Sequence, residues 1–431
     1  MKEMKQNFSN ISKVRGELSL PGDKSISHRA LIFSALADGK STIKNLADSQ
    51  DVNTTIECFA KVGVNINNVG EVYRIEGAGF KGFNESDSPL YCGNSGTTSR
   101  LISGVLAVQD FPTVITGDES LSNRPMGRII EPLEKMGCKI ISKDGKLPLH
   151  ILPCDRIKAI DYILPVSSAQ VKGAVLLAGL HSEDFTTVKE NNLFTRDHTE
   201  RMLNLPVEII GGKKITKISS AFYPKPADYF IAGDISTAAF FIVLTLISKN
   251  SNLILRNISL NETRTNFLNI LISMGAEIII TPKGNSNNEP FGDVIVKSSE
   301  LKNIEIDPNI IPGIIDEIPI LSIAGALAED DFIVRGAKEL RVKESDRINS
   351  ICLNLNKAGF DITEFDDGFS IGGKLENSYQ SFESYGDHRI AMGFSVLASL
   401  TEKGSEVNGF ECVSVSNPNF LNQLNSIAEF S

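Results

Sequence analysis

The 431-residue sequence lacks an excess of basic charge, paired cysteines and long apolar runs. Its formal net charge is −10, whereas proteins that bind nucleic acids usually carry a basic patch or a high pI. The six cysteines form no CxxC pair, which argues against a disulfide framework or a zinc site. No run of about 18 uncharged apolar residues occurs, so no membrane-spanning helix is predicted. We therefore expect no nucleic acid, metal or membrane among its partners.

Common nucleotide and targeting motifs are missing as well. The turn around Gly22 and Lys24 resembles the end of a P-loop, but the GxxxxGK spacing is not met. No HExxH motif is present. The N-terminal segment has no apolar core, so it does not resemble a signal peptide. We expect no cofactor and a cytoplasmic location.

One segment type recurs along the chain: small or polar residues, then an apolar run rich in Ala and Leu. Its six copies lie at 25–37, 95–107, 167–179, 236–248, 316–328 and 387–399. Each predicts a buried helix capped by Ser, Thr or Asp. Between several copies lies a second helix that ends in glycine before a β-branched run, as at 59–66 and 133–141. The sequence thus predicts six repeated α/β units of roughly 70 residues, which could form a solenoid, a barrel or two three-unit domains.

Basic residues are concentrated beside the predicted helix starts. The clusters comprise Lys24, Ser25, His28 and Arg29; Asn94, Ser95, Gly96, Thr97 and Arg100; Arg124 and Arg128; Ser167, Ser168, Gln170 and Lys172; Arg196, Asp197, His198 and Glu200; Lys343, Glu344 and Arg347; and Asp387, His388 and Arg389. Helix N-termini with Lys and Arg supply the donors that phosphates and carboxylates need. Each cluster alone is also consistent with a helix cap or a solvated turn. Their recurrence favours a site for a multiply anionic ligand, with carboxylates as candidate acids or bases.

Eight motifs in this chain, in their order and spacing, resemble the EPSP synthase family over essentially the whole sequence. They are LPGDKSISHRALIFSALA, GNSGTTSRL, RPMGR, SSAQVKGA, AGDIS, DEIPILS, RVKESDR and YGDHRIAMG. The resemblance implies a two-domain inside-out α/β barrel of six β-α-β-α-β-β units, three in each domain. The expected domains are 1–20 plus 232–431, and 21–231, with hinge crossings near 20–22 and 231–234 and the active site in the cleft between them.

The resemblance also implies the substrates, shikimate 3-phosphate and phosphoenolpyruvate, and the residues that bind them. Those expected to bind shikimate 3-phosphate are Lys24, Ser25, Arg29, Ser168, Ala169, Gln170, Arg196, Asp316 and Lys343. Those expected to bind phosphoenolpyruvate are Lys24, Gly96, Arg124, Gln170, Arg347 and Arg389. The expected catalytic residues are Lys24, Asp316 and Glu344.

The chemistry of enolpyruvyl transfer gives those three residues their roles. One acid must protonate the C3 methylene of phosphoenolpyruvate, and one base must take the proton of the attacking hydroxyl. Glu344 and Lys24 are alternative candidates at the vinyl carbon, and Asp316 is the candidate at the hydroxyl. Several cations around one phosphate can stabilise it as a leaving group without a metal.

This sequence departs from the common pattern of the family in two respects. Many members carry a lysine near Val415, so one expected phosphate contact is missing here. The fragments SAQVK, RDHTE and NETR resemble the glyphosate-tolerant class, whereas Gly96 leaves room for the inhibitor. We expect intermediate tolerance and a monomer.

Two other functions compete with this interpretation. A related enolpyruvyl transferase acts on UDP-N-acetylglucosamine and typically uses a cysteine in the loop corresponding to SNRPMGR, which has none here. A non-catalytic binding protein would not need both Asp316 and Glu344.

Overall fold

The computed structural model describes residues 4–191 and 194–431, and the chain divides into two compact units. The first unit contains the residues up to Leu20, Gly233–Gly284 and Pro290–Ser431. The second contains Pro21–Ala232 and the short segment Asn285–Glu289. Each unit has its own hydrophobic core, as expected for a chain longer than one core usually organises.

The first unit begins with strands β1 (Lys5–Phe8) and β2 (Ile11–Ser19). The second unit then contains α1 (Lys24–Leu36), β3 (Asp38–Lys44), α2 (Gln50–Lys61), β4 (Asn65–Val69), β5 (Val72–Ala78), β6 (Leu90–Tyr91), α3 (Gly96–Leu106), β7 (Thr113–Thr116), α4 (Glu119–Asn123), α5 (Gly127–Lys135), β8 (Lys139–Lys143), β9 (Lys146–Leu152), β10 (Asp161–Ile163), α6 (Ala169–Gly179), β11 (Thr186–Asn191), α7 (His198–Met202), β12 (Val207–Ile210), β13 (Lys213–Ile218) and β14 (Asp228–Phe230).

The sheets of the second unit repeat one topology three times. Their strand orders are β14-β3-β5-β4, β6-β7-β9-β8 and β10-β11-β13-β12. In each sheet the first pair is parallel and the next two pairs are antiparallel. The parallel pair needs a crossover, and α3 and α6 supply it in two of the sheets. In the remaining sheet, β14-β3-β5-β4, the strand parallel to β3 is β14, which comes last in this unit. With β14 included, the unit contains three β-α-β-α-β-β repeats.

The first unit continues with α8 (Ile235–Ile247), β15 (Asn252–Ser259), α9 (Asn266–Ser273), β16 (Glu277–Ser286), β17 (Glu289–Lys297), α10 (Ile311–Ile314), α11 (Ile318–Ala326), β18 (Phe332–Val334), α12 (Arg347–Lys357), β19 (Phe360–Phe365), β20 (Gly368–Gly373), β21 (Ser381–Glu383), α13 (His388–Ala398), β22 (Ser405–Asn408), α14 (Phe420–Ile427) and β23 (Ala428–Phe430). Its sheets have the orders β16-β17-β15-β2-β23, β18-β20-β19 and β1-β22-β21. The N-terminal strands β1 and β2 therefore complete sheets whose other strands come from the last part of the chain.

The six predicted apolar helices are confirmed as α1, α3, α6, α8, α11 and α13. Nearly every residue of α1 and α8 is buried, and α8 has the apolar residues on all sides that such burial predicts. Edge strands such as β4 and β12 are largely exposed. Helices inside and sheets outside are the predicted inside-out arrangement.

The predicted glycine stops also occur. Gly63 follows α2 with φ of +94°, and Gly137 follows α5 with φ of +106°. Glycine adopts positive φ without the strain that a Cβ would cause. The chain then enters β4 and β8, so each glycine turns a helix into a strand.

No single helix in the described ranges is long and apolar enough to cross a membrane. One pair of segments, Pro308–Ile314 and Ile318–Ala326, meets the length and composition criteria together across a bend of 116°.

Candidate functional site

The second unit presents three helix N-termini that carry predicted site residues. Helices α1, α3 and α6 begin at Lys24, Gly96 and Ala169. Their caps Asp23, Ser95 and Ser168 each accept a hydrogen bond from the backbone N–H group three residues further on. A capped N-terminus keeps its remaining N–H groups and positive dipole end for an anion.

Lys24 forms an ion pair that the sequence did not indicate. Its Nζ lies 2.8 Å from Oδ2 of Asp51, in the first turn of α2. The side chains are only 20% and 10% exposed, so water screens the pair less than it screens a pair at the surface. Asp51 therefore fixes the ammonium group of Lys24 at the start of α1.

Arg29 lies one turn further along α1 and is buried. Its Nη1 donates to the carbonyl oxygen of Ser25 at 2.9 Å, and its Nε donates to Oγ1 of Thr199 at 2.8 Å. Burial lowers the pKa of Arg29 to about 10, although nearby carboxylates oppose the shift. The guanidinium remains charged at neutral pH and holds the backbone of Ser25 in place.

Gly96 and Gln170 are brought together by Arg100. The Nη1 atom of Arg100 donates to Oε1 of Gln170 at 2.6 Å, and Gln170 donates from Nε2 to Oγ1 of Thr97 at 3.0 Å. A Cβ placed on Gly96 would lie 2.6 Å from Nη1 of Arg100 and 3.5 Å from Nη1 of Arg124. Gly96 is thus where two guanidinium groups approach the backbone.

Arg124, Ser168 and Arg196 complete the predicted set in this unit. Arg124 donates from Nη2 to Asn94, which itself donates to Oδ2 of Asp118 at 2.8 Å. Ser168 caps α6, and Arg196 lies two residues before α7. Both are partly exposed.

The first unit gathers its predicted residues around Arg347, whose side chain is 1% exposed. Its guanidinium reaches three carboxylates: Nε to Asp387 at 2.7 Å, Nη1 to Asp316 at 3.1 Å and Nη2 to Glu344 at 2.5 Å. Burial acts to lower the pKa of Arg347, but the three negative charges outweigh it and raise that pKa above its ordinary value. The carboxylates of Asp316 and Glu344, the two predicted acid–base residues, are therefore held by the permanently charged guanidinium group of Arg347.

Lys343 and Arg389 border the same cluster. The Nζ of Lys343 lies 3.7 Å from Oδ1 of Asp316, and Nη1 of Arg389 donates to the Asp316 carbonyl oxygen at 2.8 Å. Asp316 precedes α11 rather than opening it, because the helix begins at Ile318 with Pro319 in its first turn, where proline is favoured. Its carboxylate and carbonyl are thereby both available to cations.

Sequence reasoning missed a second carboxylate next to Asp316. Glu317 is completely buried and accepts a hydrogen bond from Ser236 at the start of α8, while Nη1 of Arg389 lies 3.7 Å away. The adjacent acidic residues Asp316 and Glu317, directly before an apolar helix, could have indicated a second buried carboxylate. Val415 lies in the 3₁₀ turn Phe410–Val415 and is partly buried.

Each cluster belongs to one unit. One cluster consists of the predicted residues of the second unit, at and near the starts of α1, α3, α6 and α7, and the other consists of those around Arg347 in the first unit. The expectation that both clusters act on one pair of substrates stays a prediction.

Comparison with known proteins identifies a family to which the chain is similar over nearly its whole length. A family model described as EPSP synthase (3-phosphoshikimate 1-carboxyvinyltransferase) matches residues 8–424. A 3-phosphoshikimate 1-carboxyvinyltransferase from Bacillus subtilis (strain 168) is 42% identical, over 98% of this chain and 99% of the relative. One from Petrotoga mobilis is 44% identical, over 97% and 98%.

Solved structures give the same result. An EPSP synthase from Acinetobacter baumannii has a TM-score of 0.87 and 38% identity, over 99% of this chain and 98% of that one. The enolpyruvyl transferase NikO from Streptomyces tendae has a TM-score of 0.73 at 14% identity, over 100% and 98%, which shows a shared fold only.

Proposed function

The chain belongs to the EPSP synthase family, and we propose that its two residue clusters form the substrate sites of this enzyme. The family's reaction transfers the enolpyruvyl group of phosphoenolpyruvate to the 5-hydroxyl of shikimate 3-phosphate, in the shikimate pathway. The products are 5-enolpyruvylshikimate 3-phosphate and phosphate.

Shikimate 3-phosphate is assigned mainly to the second unit. Ser25 and Arg29 hold the carboxylate, with Arg29 already bonded to the Ser25 backbone. Ser168, the backbone of Ala169, and Arg196 hold the 3-phosphate at the start of α6, where N–H groups and the helix dipole favour an anion. Gln170 contacts the ring.

Phosphoenolpyruvate is assigned to cations of both units. Lys24, Arg124, Arg347 and Arg389 contact its phosphate and carboxylate, and Gly96 lies close to the phosphate, while Lys343, beside Asp316, faces shikimate 3-phosphate as well. Bidentate guanidinium groups suit both kinds of anion. No step requires a metal or cofactor, because these fixed positive charges stabilise the departing phosphate.

The reaction is an addition followed by an elimination. A proton is delivered to C3 of phosphoenolpyruvate, and the 5-hydroxyl oxygen attacks C2 as it loses its own proton. The tetrahedral intermediate then loses phosphate from C2 and a proton from C3. Asp316 takes the hydroxyl proton, and either Glu344 or Lys24 exchanges the proton at C3.

The observation that carries this proposal is the contact of one buried arginine, Arg347, with both Asp316 and Glu344. Asp387 already supplies the buried counter-charge of Arg347, so a protein that only bound anions would gain nothing from two further carboxylates beside that cation, since like charges weaken anion affinity. Two carboxylates in fixed positions are what proton delivery and proton removal require.

Glu344→Gln tests the proposal. Binding of shikimate 3-phosphate should survive, and kcat for phosphate release should fall by about 10²-fold or more. The matched control is Glu339→Gln, because it makes the same change at an exposed residue of the preceding 3₁₀ turn. This variant should keep wild-type turnover. Unchanged kcat in Glu344→Gln would refute the catalytic role.

The acceptor is tested in the same assay. Phosphate release from phosphoenolpyruvate should require shikimate 3-phosphate and should not occur with UDP-N-acetylglucosamine. Release with the nucleotide sugar instead would favour the related transferase.

We further propose that the enzyme is a cytoplasmic monomer with intermediate tolerance to glyphosate. An inhibition constant as low as that of sensitive family members would contradict the tolerance. Sedimentation of the purified protein as a dimer would contradict the monomer.

A further inference from the structure

Lys172 is a completely buried lysine that the reaction above does not use. It lies one turn into α6, and its side chain is 1% exposed. Its Nζ contacts two carboxylates that are equally buried, Oε2 of Glu190 at 2.8 Å and Oε1 of Glu200 at 2.6 Å. The two negative charges outweigh the effect of burial and raise the pKa of Lys172, so the group stays charged.

The two carboxylates lie on either side of Arg196 in the chain. Glu190 belongs to β11 and accepts a hydrogen bond through Oε1 from the backbone N–H of Thr195, at 2.7 Å. Thr195 is the residue immediately before Arg196. Glu200 belongs to α7, which begins two residues after Arg196.

A buried charged group is restricted to positions in which groups of opposite charge contact it. Removing an ion from water costs several kcal/mol, and only close pairing in fixed positions offsets that cost. The Lys172 ammonium therefore has one favourable position, on α6, and both carboxylates must come to it. The backbone before and after Arg196 is fixed to α6 as a result.

We propose that Lys172 is a positioning residue, which holds the chain around Arg196 so that this arginine and the N-terminus of α6 act on the same phosphate. The inference rests on the proposed function, because it takes Ser168 and Arg196 as the site of the 3-phosphate. It adds a specific consequence: Lys172 contributes more to affinity for the phosphate group than to affinity for the carboxylate, although Arg29 donates to Thr199 beside Glu200.

Calorimetric titration with shikimate 3-phosphate and with shikimate, which lacks the phosphate, tests this consequence. Lys172→Met preserves helix propensity and length while removing the charge. We expect it to weaken binding of shikimate 3-phosphate at least tenfold and to weaken binding of shikimate by a clearly smaller factor. Lys135→Met, which breaks an exposed i,i+4 pair with Glu131, is the matched control and should alter neither affinity.

The double variant Lys172→Met/Arg196→Ala distinguishes positioning from a separate contact. If Lys172 acts through Arg196, the double variant should bind shikimate 3-phosphate about as weakly as Arg196→Ala alone. Multiplied losses, or an equal loss of affinity for both ligands in Lys172→Met, would overturn the proposal. A general structural defect would produce the second result.

Glu190→Gln keeps the test decisive if Lys172→Met does not fold. This variant leaves the Lys172–Glu200 pair balanced in charge and should still lose affinity selectively for the phosphorylated ligand. Unchanged selectivity would overturn the proposal. If Arg196→Ala binds shikimate 3-phosphate as tightly as wild type, the assignment of the phosphate site fails. If only the Lys172 and Glu190 variants are without effect, the positioning role alone fails.

Discussion

Replacing Arg347 with methionine should destabilise the first unit more than any other single loss of charge in the candidate site. Arg347 is buried at the start of α12 and its partner Asp387, the cap of α13, is 0% exposed. The methionine fills similar space, but it leaves the Asp387 carboxylate in the protein interior without its counter-charge.

The structure sets the size of this effect. Breaking a buried ion pair by removing one partner costs about 3–5 kcal/mol, because the remaining charge is uncompensated. The contacts to Asp316 and Glu344 add little, since these side chains are 15% and 22% exposed and water can replace part of the interaction. We therefore expect a loss of about 3–5 kcal/mol in the unfolding free energy of the unit, a large share of the roughly 5–15 kcal/mol typical of a native protein.

Hydrogen exchange of the α12 and α13 amides, followed by mass spectrometry, measures this loss in the first unit without requiring the whole chain to unfold in one transition. Arg341→Met is the matched control. Arg341 also contacts two carboxylates, Asp346 at 2.8 Å and Glu364 at 2.9 Å, but its side chain is 24% exposed. Partly exposed pairs contribute about 1 kcal/mol or less.

A loss below about 1 kcal/mol in Arg347→Met, or a loss equal to that of Arg341→Met, would refute the reasoning, because buried and exposed pairs would then be equivalent. Adding Asp387→Asn removes the uncompensated charge while retaining an oxygen to cap α13. The double variant should therefore recover stability relative to Arg347→Met, and a further additive loss would contradict a direct charge interaction.

Two further predictions concern the second unit. Asp51→Asn removes the carboxylate that fixes Lys24, so kcat/KM for phosphoenolpyruvate should fall by about tenfold, or ~1.4 kcal/mol of transition-state stabilisation; unchanged steady-state kinetics would show that Lys24 needs no such partner. Burial, assisted by Lys81, lowers the pKa of His181 to about 3, so below about pH 6.5 the unfolded chain binds a proton that the folded chain does not. Stability should therefore fall as the pH drops through this range, and His181→Phe should reduce the loss between pH 7 and pH 5 by about 2 kcal/mol in urea titrations; an identical pH dependence would contradict the assignment.

The local sequence predicted the repeated helices well, but it did not predict which carboxylates pair with the buried cations. The caps, apolar runs and glycine stops lie within a few residues of the structure they determine, which is why α1, α3 and α13 were found close to their observed bounds. The start of α11 was placed two residues early, because Asp316 resembles a cap although the helix begins only at Ile318.

Local sequence patterns could not predict the carboxylates that pair with Lys24, Lys172 and Arg347, because those carboxylates belong to other helices and strands. Asp51 reaches Lys24 only because α2 packs beside α1, and Glu190 reaches Lys172 from a strand that follows α6. Asp387 was recognised as a member of a basic cluster, but nothing in the sequence paired it with Arg347, 40 residues earlier. Such pairs depend on tertiary packing, and one sequence contains no direct record of it.

These counter-charges follow from the physics of an anion site. A phosphate-binding cation works best when it is shielded from water and already oriented, because it then needs no rearrangement as charge develops. Shielding such a cation costs several kcal/mol unless the protein supplies a fixed negative partner. A carboxylate in contact with a buried cation therefore offsets this cost, and it also determines where the cation points. In this chain Asp51 performs that task for Lys24 and Asp387 performs it for Arg347, so loss of either carboxylate should impair the protein as much as loss of the cation that it holds.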